Sequence, residues 1–489
     1  MRDSSKPDSS AVEGIAAIVL AAGKSTRMRS KLPKPLHLLC GLPITNHVVR
    51  SCRSAGVNRV VVVVGHEAET VQAGLGTEVE YAFQSEPRGT GHAVLAARSQ
   101  FLNWSGTILV LAGDIPLMPP TTLRRLLDAQ RASVSGVAML TAHLDDATGY
   151  GRIIRDEQGS IVGIIEQSDA TPEQHSIKEW NPSIYAFQSE LLWSALAEIR
   201  PQNAQGEYYL TDVIAVLKSR GITIESVAAD CAEDVLGINN RVELSTAAGI
   251  LRKRIQKEHM LAGVSIVDPS TTYIDSDVSI GQDTSIEPCS FLGSGTVIGE
   301  DCVIGPMARI TRSVVGDKTR IWASHVTDSQ IGDRVSVGPY ANLRVGTVLA
   351  EKVKIGDFVE TKKAIFGTGA QASHLSYIGD ASVGAGTNIG AGTVTCNFDG
   401  FMKHDTTIGQ NAFVGSHSTL VAPVVIGDGA IVAAGSVITN NVSADALAIA
   451  RSRMTLKEGR AALYRADKSA AAAARAAASE GVVEPKRVE

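Results

Sequence analysis

Two different hydrophobic periods divide this chain. From Ile15 to about Leu236, unbroken apolar runs alternate with stretches of helical spacing. The runs Ile15–Leu20, Val60–Val64 and Ile108–Leu111 are rich in β-branched residues, as in strands buried on both faces. Each run leads into a turn containing Gly or Asp and then into a helical pattern, which predicts an α/β doubly wound domain. In such domains ligands sit at the carboxyl ends of the strands, where Ala21–Gly23 and Gly113–Asp114 fall.

At Asn240 the pattern changes. Asn240 with Glu243 three residues on has the form of a capping box, and Leu244, Ala248, Leu251 and Ile255 follow at helical spacing, which predicts a connecting helix. Beyond about Ser265 the period becomes six. Ile280, Ile286, Leu292, Ile298, Ile304 and Ile310 form one series, and Ile331, Val337, Leu343, Leu349 and Ile355 a second. Ile408, Val414, Leu420, Ile426, Val432 and Ile438 form a third. A small residue often comes next, as at Gly281, Gly299, Gly409, Gly415 and Gly427. Neither a helix nor a flat strand yields a six-residue spacing. A triangular parallel β-helix does, with one aliphatic side chain per face pointing inward and the small residue permitting the corner.

Composition narrows the function classes. The chain has 489 residues, enough for two or three cores, and a net charge of -5, which disfavours nucleic-acid binding. Cys40, Cys52, Cys231, Cys289, Cys302 and Cys396 include no Cys-x-x-Cys pair, a pattern suited to buried free thiols in a reducing cytosol. Met1–Ser10 lacks the apolar stretch of a signal peptide, and no run of about 18 apolar residues predicts a membrane span. The expected location is therefore cytoplasmic. The Ala-rich, charged tail from Ala461 reads as a frayed helix or a disordered segment.

Candidate chemistry lies at the strand ends. In Leu20-Ala-Ala-Gly-Lys-Ser-Thr-Arg-Met28, small residues let backbone N–H groups approach an anion, and Arg27 and Lys34 add positive charge suited to a triphosphate. A P-loop is excluded because position 18 is Ile where that motif needs Gly. The loop alone also fits an ordinary tight turn. Gln84 with Gly89-Thr-Gly-His-Ala93 offers donors fit to read a uracil edge. Asp114 fits either a turn cap or a magnesium ligand, since phosphate and water supply most of the shell beside a nucleotide. Among the repeats, Phe358–Lys363 and Ser373–Tyr377 break the period. His374 alone reads as a surface histidine. Together with Arg344, Lys362, Tyr377 and Asn388 it suits an amine that must lose a proton beside a sugar phosphate.

These motifs, with Thr148-Gly-Tyr-Gly-Arg152, Asn203-Ala-Gln-Gly-Glu-Tyr-Tyr209 and Gly237-Ile-Asn-Asn-Arg241, resemble the bacterial bifunctional N-acetylglucosamine-1-phosphate uridyltransferase/glucosamine-1-phosphate N-acetyltransferase family over Ile15–Arg453. The resemblance implies a Rossmann-like nucleotidyltransferase domain at 15–241 after a disordered 1–14, and a linker helix at 242–262. A left-handed parallel β-helix of hexapeptide repeats at 263–460 and a tail at 461–489 complete the chain. It places Leu20, Ala21, Ala22, Gly23, Lys34, Gln84, Gly89 and Thr90 on UTP, with Ala112 and Gly113 beside them. Gly151, Glu166 and Asn181 would hold the sugar, Asp114 and Asn239 Mg²⁺, and Arg27 would offset transition-state charge.

In the second domain the resemblance would make His374 the general base, and Glu360 would orient it. The same resemblance places Arg344, Lys362, Tyr377 and Asn388 on the sugar phosphate, and Ala391, Asn397, Phe398, Ser416, Ala434 and Arg451 would line the acetyl-CoA site. The implied pathway acetylates glucosamine-1-phosphate, then transfers uridylyl to the product, supplying peptidoglycan and lipopolysaccharide precursor. The implied assembly is a homotrimer acting on small molecules, with neither nucleic acid nor membrane as partner. Five positions depart from the family pattern: Ser25 for Gly, Pro182-Ser183 for Thr-Gly, Ala112 for an aromatic residue in some relatives, and Phe398 for Tyr. Pro182 also removes a backbone donor.

Two other readings carry different signatures. A single-activity pyrophosphorylase with an assembly-only β-helix gives no reason for His374, Lys362 and Arg344 to occur together. A non-catalytic scaffold predicts erosion at Arg27, Lys34 or Asp114, and all three are present.

Overall fold

A computed structural model describes residues 14–23 and 26–480. Ser25 and all of the expected disordered N-terminus except Gly14 lie outside them, as does the tail beyond 480. The chain forms two compact units that divide between Lys363 and Ala364.

The first unit opens with a mixed sheet. Its strands are β1 (Ile15–Leu20), β2 (Arg59–Val64), β3 (Glu80–Phe83), β4 (Thr107–Ala112), β5 (Val137–His143), β6 (Gly151–Arg155), β7 (Ile161–Ile165), β8 (Glu179–Asn181), β9 (Ile184–Gln188) and β10 (Glu225–Ala228). The order is β3-β2-β1-β4-β9-β5-β8-β6-β7, with β10 beside β5. The three apolar runs seen in the sequence form the parallel centre, where Ala17 lies between Val60 and Leu109. Both faces of β1 are buried, which explains its lack of a polar position. Ala17 and Val19 pack with Val48 and Cys52 of α1 (Ile44–Ser54) and with Leu123 and Leu126 of a later helix, Pro120–Ala132. Ala16 and Ile18 pack on the opposite face with Val94, Leu192 and Val213. Each large aliphatic residue buried this way stabilises the fold by about 1.5–3 kcal/mol.

The connecting helix spans Arg241–Leu261. Asn240 caps it by accepting from the N–H groups of Val242 (2.9 Å) and Glu243 (3.0 Å). The return bond differs from the expected capping box, because Glu243 Oε2 accepts from the N–H of Asn239 at 2.7 Å. That shift ties the helix start to a candidate metal ligand. Further along, Arg254 donates to Leu117 O (2.7 Å) and Asp234 (2.6 Å), while buried Gln256 donates to Pro269 O and Thr272 O of the first coil. The helix is thus packed into the unit along its length.

From Ser265 the unit continues as short parallel strands that stack coil on coil on three faces, forming part of a left-handed β-helix. Ile286 pairs with Ile304 and Leu292 with Ile310, a repeat of eighteen residues. Between the first two sequence series the repeat shortens to sixteen, as in Ile310 with Val326 and Val315 with Ile331. Shorter corners there hide the six-residue period without breaking the inward ladder.

One sequence expectation needs correction. The small residue after the inward aliphatic does not in general make the corner, although Gly305 and Gly338 do carry φ of +104° and +110°. The left-handed backbone lies three residues after the aliphatic, as at Asp301, Met307, Tyr340 and Phe358. The small residue is needed because a side chain there would strike the next coil: a Cβ on Gly415 would lie 2.5 Å from Ala434 N.

The second unit repeats the same coils from Ala364 to Ala448, and a helix follows at Arg460–Glu480. The sequence break near Ser373–Tyr377 corresponds to a seven-residue strand, Tyr377–Val383. Further on, Thr395 pairs with Leu420, a separation of 25 that leaves an inserted loop after Cys396.

The six cysteines are free, but only Cys52 and Cys302 are fully buried, and Cys231 and Cys289 are exposed. Burial pushes the Cys52 thiol up to about 12 and Cys40 up to about 11, so neither is a nucleophile at neutral pH. No helix among the described residues is long and apolar enough to cross a membrane.

Candidate functional site

Strand order creates the cleft. The chain runs outward from β1 through β2 to β3, then returns to β4 on the other side of β1, and a crevice opens where the order reverses. Ala21 N donates to Val63 O and Gly113 N to Leu20 O, both at 2.9 Å, fixing the two turns at the strand ends. The cleft has a volume of about 460 Å³. Of the residues expected on nucleotide and sugar, Leu20, Ala21, Ala22, Gly23, Lys34, Gln84, Gly89, Thr90, Ala112, Gly113, Asp114 and Glu166 line it.

The charged end is a compact cluster. The Lys34 ammonium pairs with the Asp114 carboxylate and donates to Asn239 Oδ1 at 3.2 Å. Arg27 Nη2 donates to the same oxygen at 2.9 Å. Two hard oxygen donors therefore converge on one cationic position, with a second cation beside it. Among the described residues no three His, Cys, Asp or Glu side chains gather to hold a metal. The donor set fits a divalent ion completed by phosphate and water, with Asp114 and Asn239 as its protein ligands. Tyr150 stands next to this cluster. Burial raises its phenol, Glu243 and Asp114 add to the rise, and the Gly237 N–H and Arg27 oppose it.

Glu166 is half-buried, and desolvation raises its carboxyl above the ordinary carboxylate range; the Thr211 hydroxyl, donating at 3.2 Å, opposes the rise. A Cβ on Gly151 would lie 3.3 Å from Glu166 Oε2, so glycine there leaves the carboxylate accessible. Gly89 is required twice over: its φ is +103° and a Cβ would lie 2.6 Å from Tyr208 O.

Asn181 is placed differently from the other sugar candidates. It is 4% exposed, donates to Tyr185 O–H at 2.7 Å and accepts from Ser183 N–H at 3.0 Å, so its carboxamide shapes the wall and does not line it. Ser183, where the family pattern has Gly, carries a left-handed φ of +58°. Sequence reasoning missed Ser183, Tyr185, Glu207 and Thr211 as lining residues. The Glu207-Tyr208-Tyr209 segment was visible as a motif, but only the fold lays it on Gly91, whose N–H donates to Tyr208 O at 2.8 Å.

The acetyltransferase candidates fall in both units. In the first, Arg344 Nη1 donates to Glu360 at 2.6 Å, and Lys362 is half-buried on the strand Glu360–Phe366. In the second, His374 ends the strand Gln371–His374 and is exposed, while Tyr377 and Asn388 are half-buried.

Four acetyl-CoA candidates stack along one corner of the second unit. Val414 pairs with Ile389 and with Val432, which aligns Ala391, Ser416 and Ala434, and Arg451 donates to Ala434 O at 2.9 Å. Asn397 and Phe398 begin the inserted loop. Buried Asn397 donates to the Asp380 carboxylate and Phe398 is exposed. The loop is braced by Asp399, held well below the usual carboxylate range first by the Met402 N–H, then by His404 and the Phe401 N–H.

Fold and cleft together define a nucleotidyltransferase joined to a hexapeptide-repeat transferase. Residues 17–214 match the model of the MobA-like NTP transferase domain, 273–366 that of the GMPPB C-terminal domain, and 405–440 the bacterial transferase hexapeptide with six repeats. Bifunctional protein GlmU of an Exiguobacterium species is 49% identical over 91% of this chain and 98% of its own. Those of Brevibacillus brevis and Clostridioides difficile are 48% and 47% identical, each over 91% of this chain and 96% of their own. The chain belongs to the bifunctional GlmU family, and carries both transferase activities of UDP-N-acetylglucosamine synthesis on small-molecule substrates.

Proposed function

We propose that the cleft transfers uridylyl from UTP to N-acetylglucosamine-1-phosphate with Mg²⁺ held by Asp114 and Asn239. The carrying observation is the convergence of Lys34, Arg27, Asp114 and Asn239 at the strand switch. A phosphate oxygen of the sugar attacks the α-phosphorus of UTP, and the bond to the departing pyrophosphate breaks. Lys34 and Arg27 neutralise the phosphates, and the Ala21–Gly23 turn offers backbone donors. Bound Mg²⁺ supplies additional positive charge to the phosphate oxygens. Gly151 and Glu166 position the sugar, and Asn181 supports them through Tyr185 and Ser183. Positioning and charge suffice, with no covalent nucleophile.

The repeat domain transfers acetyl from acetyl-CoA to glucosamine-1-phosphate. The amine attacks the thioester carbonyl, His374 takes its proton, and CoA leaves. Arg344, Lys362, Tyr377 and Asn388 take the sugar phosphate. Ala391, Asn397, Phe398, Ser416, Ala434 and Arg451 take acetyl-CoA, with Ser416 steadying the oxyanion. The product of this step is the substrate of the first. The protein acts in the cytoplasm as a homotrimer. Assembly is supported by the stacked pair Tyr340 and Phe358, with centroids 5.4 Å apart, 56% and 58% exposed in left-handed corners. Phe401 and Met402 of the inserted loop, 93% and 64% exposed, add to that support.

The test pairs two assays with two variants. His374→Ala should abolish CoA release from acetyl-CoA plus glucosamine-1-phosphate and spare pyrophosphate release from UTP plus N-acetylglucosamine-1-phosphate. Asp114→Ala should do the reverse. Intact CoA release in His374→Ala would remove the base assignment.

A further inference from the structure

The base-reading end of the cleft contains a residue to which the proposed mechanism gives no task. Gln84 is 6% exposed and lines the cleft. Its Nε2 donates to Gly89 O at 3.3 Å, and its second contact is His92 Nδ1 at 3.1 Å. The carbonyl of Gly89 only accepts, so the atom facing it is the NH₂ group. His92 Nδ1 must then accept as well, which places the proton of the neutral ring on Nε2. Both donors of the carboxamide are thereby used inside the protein. Oε1 finds no donor among the described residues and is the atom Gln84 offers to the cleft.

His92 is held for this purpose by its surroundings. It lies on the helix Thr90–Ala96, whose first turn is pinned by two bonds: Gly91 N donates to Tyr208 O at 2.8 Å, and Leu210 N donates to Thr90 Oγ1 at 3.0 Å. The Tyr208 ring stands 6.5 Å from the imidazole, centroid to centroid.

We infer that His92 is a positioning residue for base recognition, fixing the Gln84 carboxamide so that its carbonyl oxygen faces the base. Resting on the reading of this cleft as a uridine nucleotide site, the inference adds the device that selects the base. Uracil presents an imide N–H at N3, which donates to that oxygen. Cytosine presents a lone pair at the same position, so a buried acceptor would face an acceptor. A site built around one hydrogen bond rejects the analogue that cannot make it far better than an apolar pocket does. Without an acceptor at the place of Nδ1, only the Gly89 carbonyl at 3.3 Å opposes a turn of Gln84 that presents its NH₂ group to the base, which suits cytosine.

The experiment compares kcat/KM for UTP and CTP, with N-acetylglucosamine-1-phosphate, in wild type, His92→Ala and His92→Asn. Acetyl transfer in each preparation reports folded protein. Wild type should prefer UTP. His92→Ala should lower the UTP-to-CTP ratio by about tenfold or more, whereas His92→Asn, whose Oδ1 takes the place of Nδ1, should hold it within about threefold. An unchanged ratio in His92→Ala overturns the inference, as does an equal fall in His92→Asn, which would mean that bulk and not the acceptor matters. Should His92→Ala fail to fold, His92→Leu fills the space without an acceptor and carries the same expectation. A wild type indifferent between UTP and CTP would instead sink the uridine reading of the cleft, and this inference with it.

Discussion

Arg152 offers a separation of stability from activity. Its side chain is 1% exposed, yet none of the ion pairs among the described residues includes it. It donates to Tyr150 O and, at 3.0 Å, to Gln167 Oε1, while its Nε is buried without a partner among the described residues. Gln167 Oε1 also accepts from Gly149 N at 3.1 Å, so one carboxamide and one guanidinium tie the Thr148–Gly151 turn to the segment carrying Glu166. Replacing Arg152 by Met removes two bonds from a charged donor, about 1.5–3 kcal/mol each. It also removes the cost of holding a charge away from water, which is several kcal/mol. The two nearly cancel, so Arg152→Met should shift the melting temperature by no more than about 3 °C in either direction. Geometry has no such compensation. A loosened turn displaces Gly151 against Glu166, and kcat/KM for N-acetylglucosamine-1-phosphate should fall about 10- to 100-fold with acetyl transfer unchanged. Steady-state kinetics with a thermal melt decide it. A double-mutant cycle with Gln167→Leu should show coupling of about 1–2 kcal/mol in kcat/KM. Unchanged uridyl kinetics, or a melt lowered by some 10 °C with both activities lost, would refute the reasoning.

Glu166 and the coils carry two further predictions. Burial raises the Glu166 carboxyl above its ordinary value of 4.5, so its contribution to stability is complete below that value and is lost as pH rises through the folded one. Glu166→Gln should therefore melt above wild type at neutral pH and together with it below about pH 4.5. Its uridyl transfer should be weakened at least about tenfold, and an equal melting gap at every pH would contradict this. Gly415→Ala forces a Cβ to 2.5 Å from Ala434 N, so the coils carrying Ser416 and Ala434 must part. About 1–3 kcal/mol of stability should be lost, with acetyl transfer reduced and uridyl transfer intact.

Much of the site was readable from residues because its chemistry depends on local spacing. Leu20–Gly23 and Gly113–Asp114 end apolar runs, and a strand end is a local property. Asn181 shows the limit. Its sequence neighbourhood reads as substrate binding, but Tyr185 and Ser183 occupy both ends of its carboxamide. Thr211, Glu207 and Tyr185 carry no spacing that links them to Leu20, and they reach the cleft only through the sheet order.

The division between the two sources follows from range. The six-residue series by themselves determined the coils, because one inward aliphatic per face is written into every repeat. They did not determine the sixteen-residue coils between Ile310 and Ile331, where shortened corners conceal the period while Val315, Ile321 and Val326 keep the ladder filled. They also did not show why Gly follows the aliphatic, which is a matter of contact with the neighbouring coil. The cluster of Arg27, Lys34, Asp114 and Asn239 is the clearest case. Sequence supplied each residue, but Arg27 and Asn239 are 212 residues apart, and only the fold decided that Arg27 and Lys34 donate to one Asn239 oxygen.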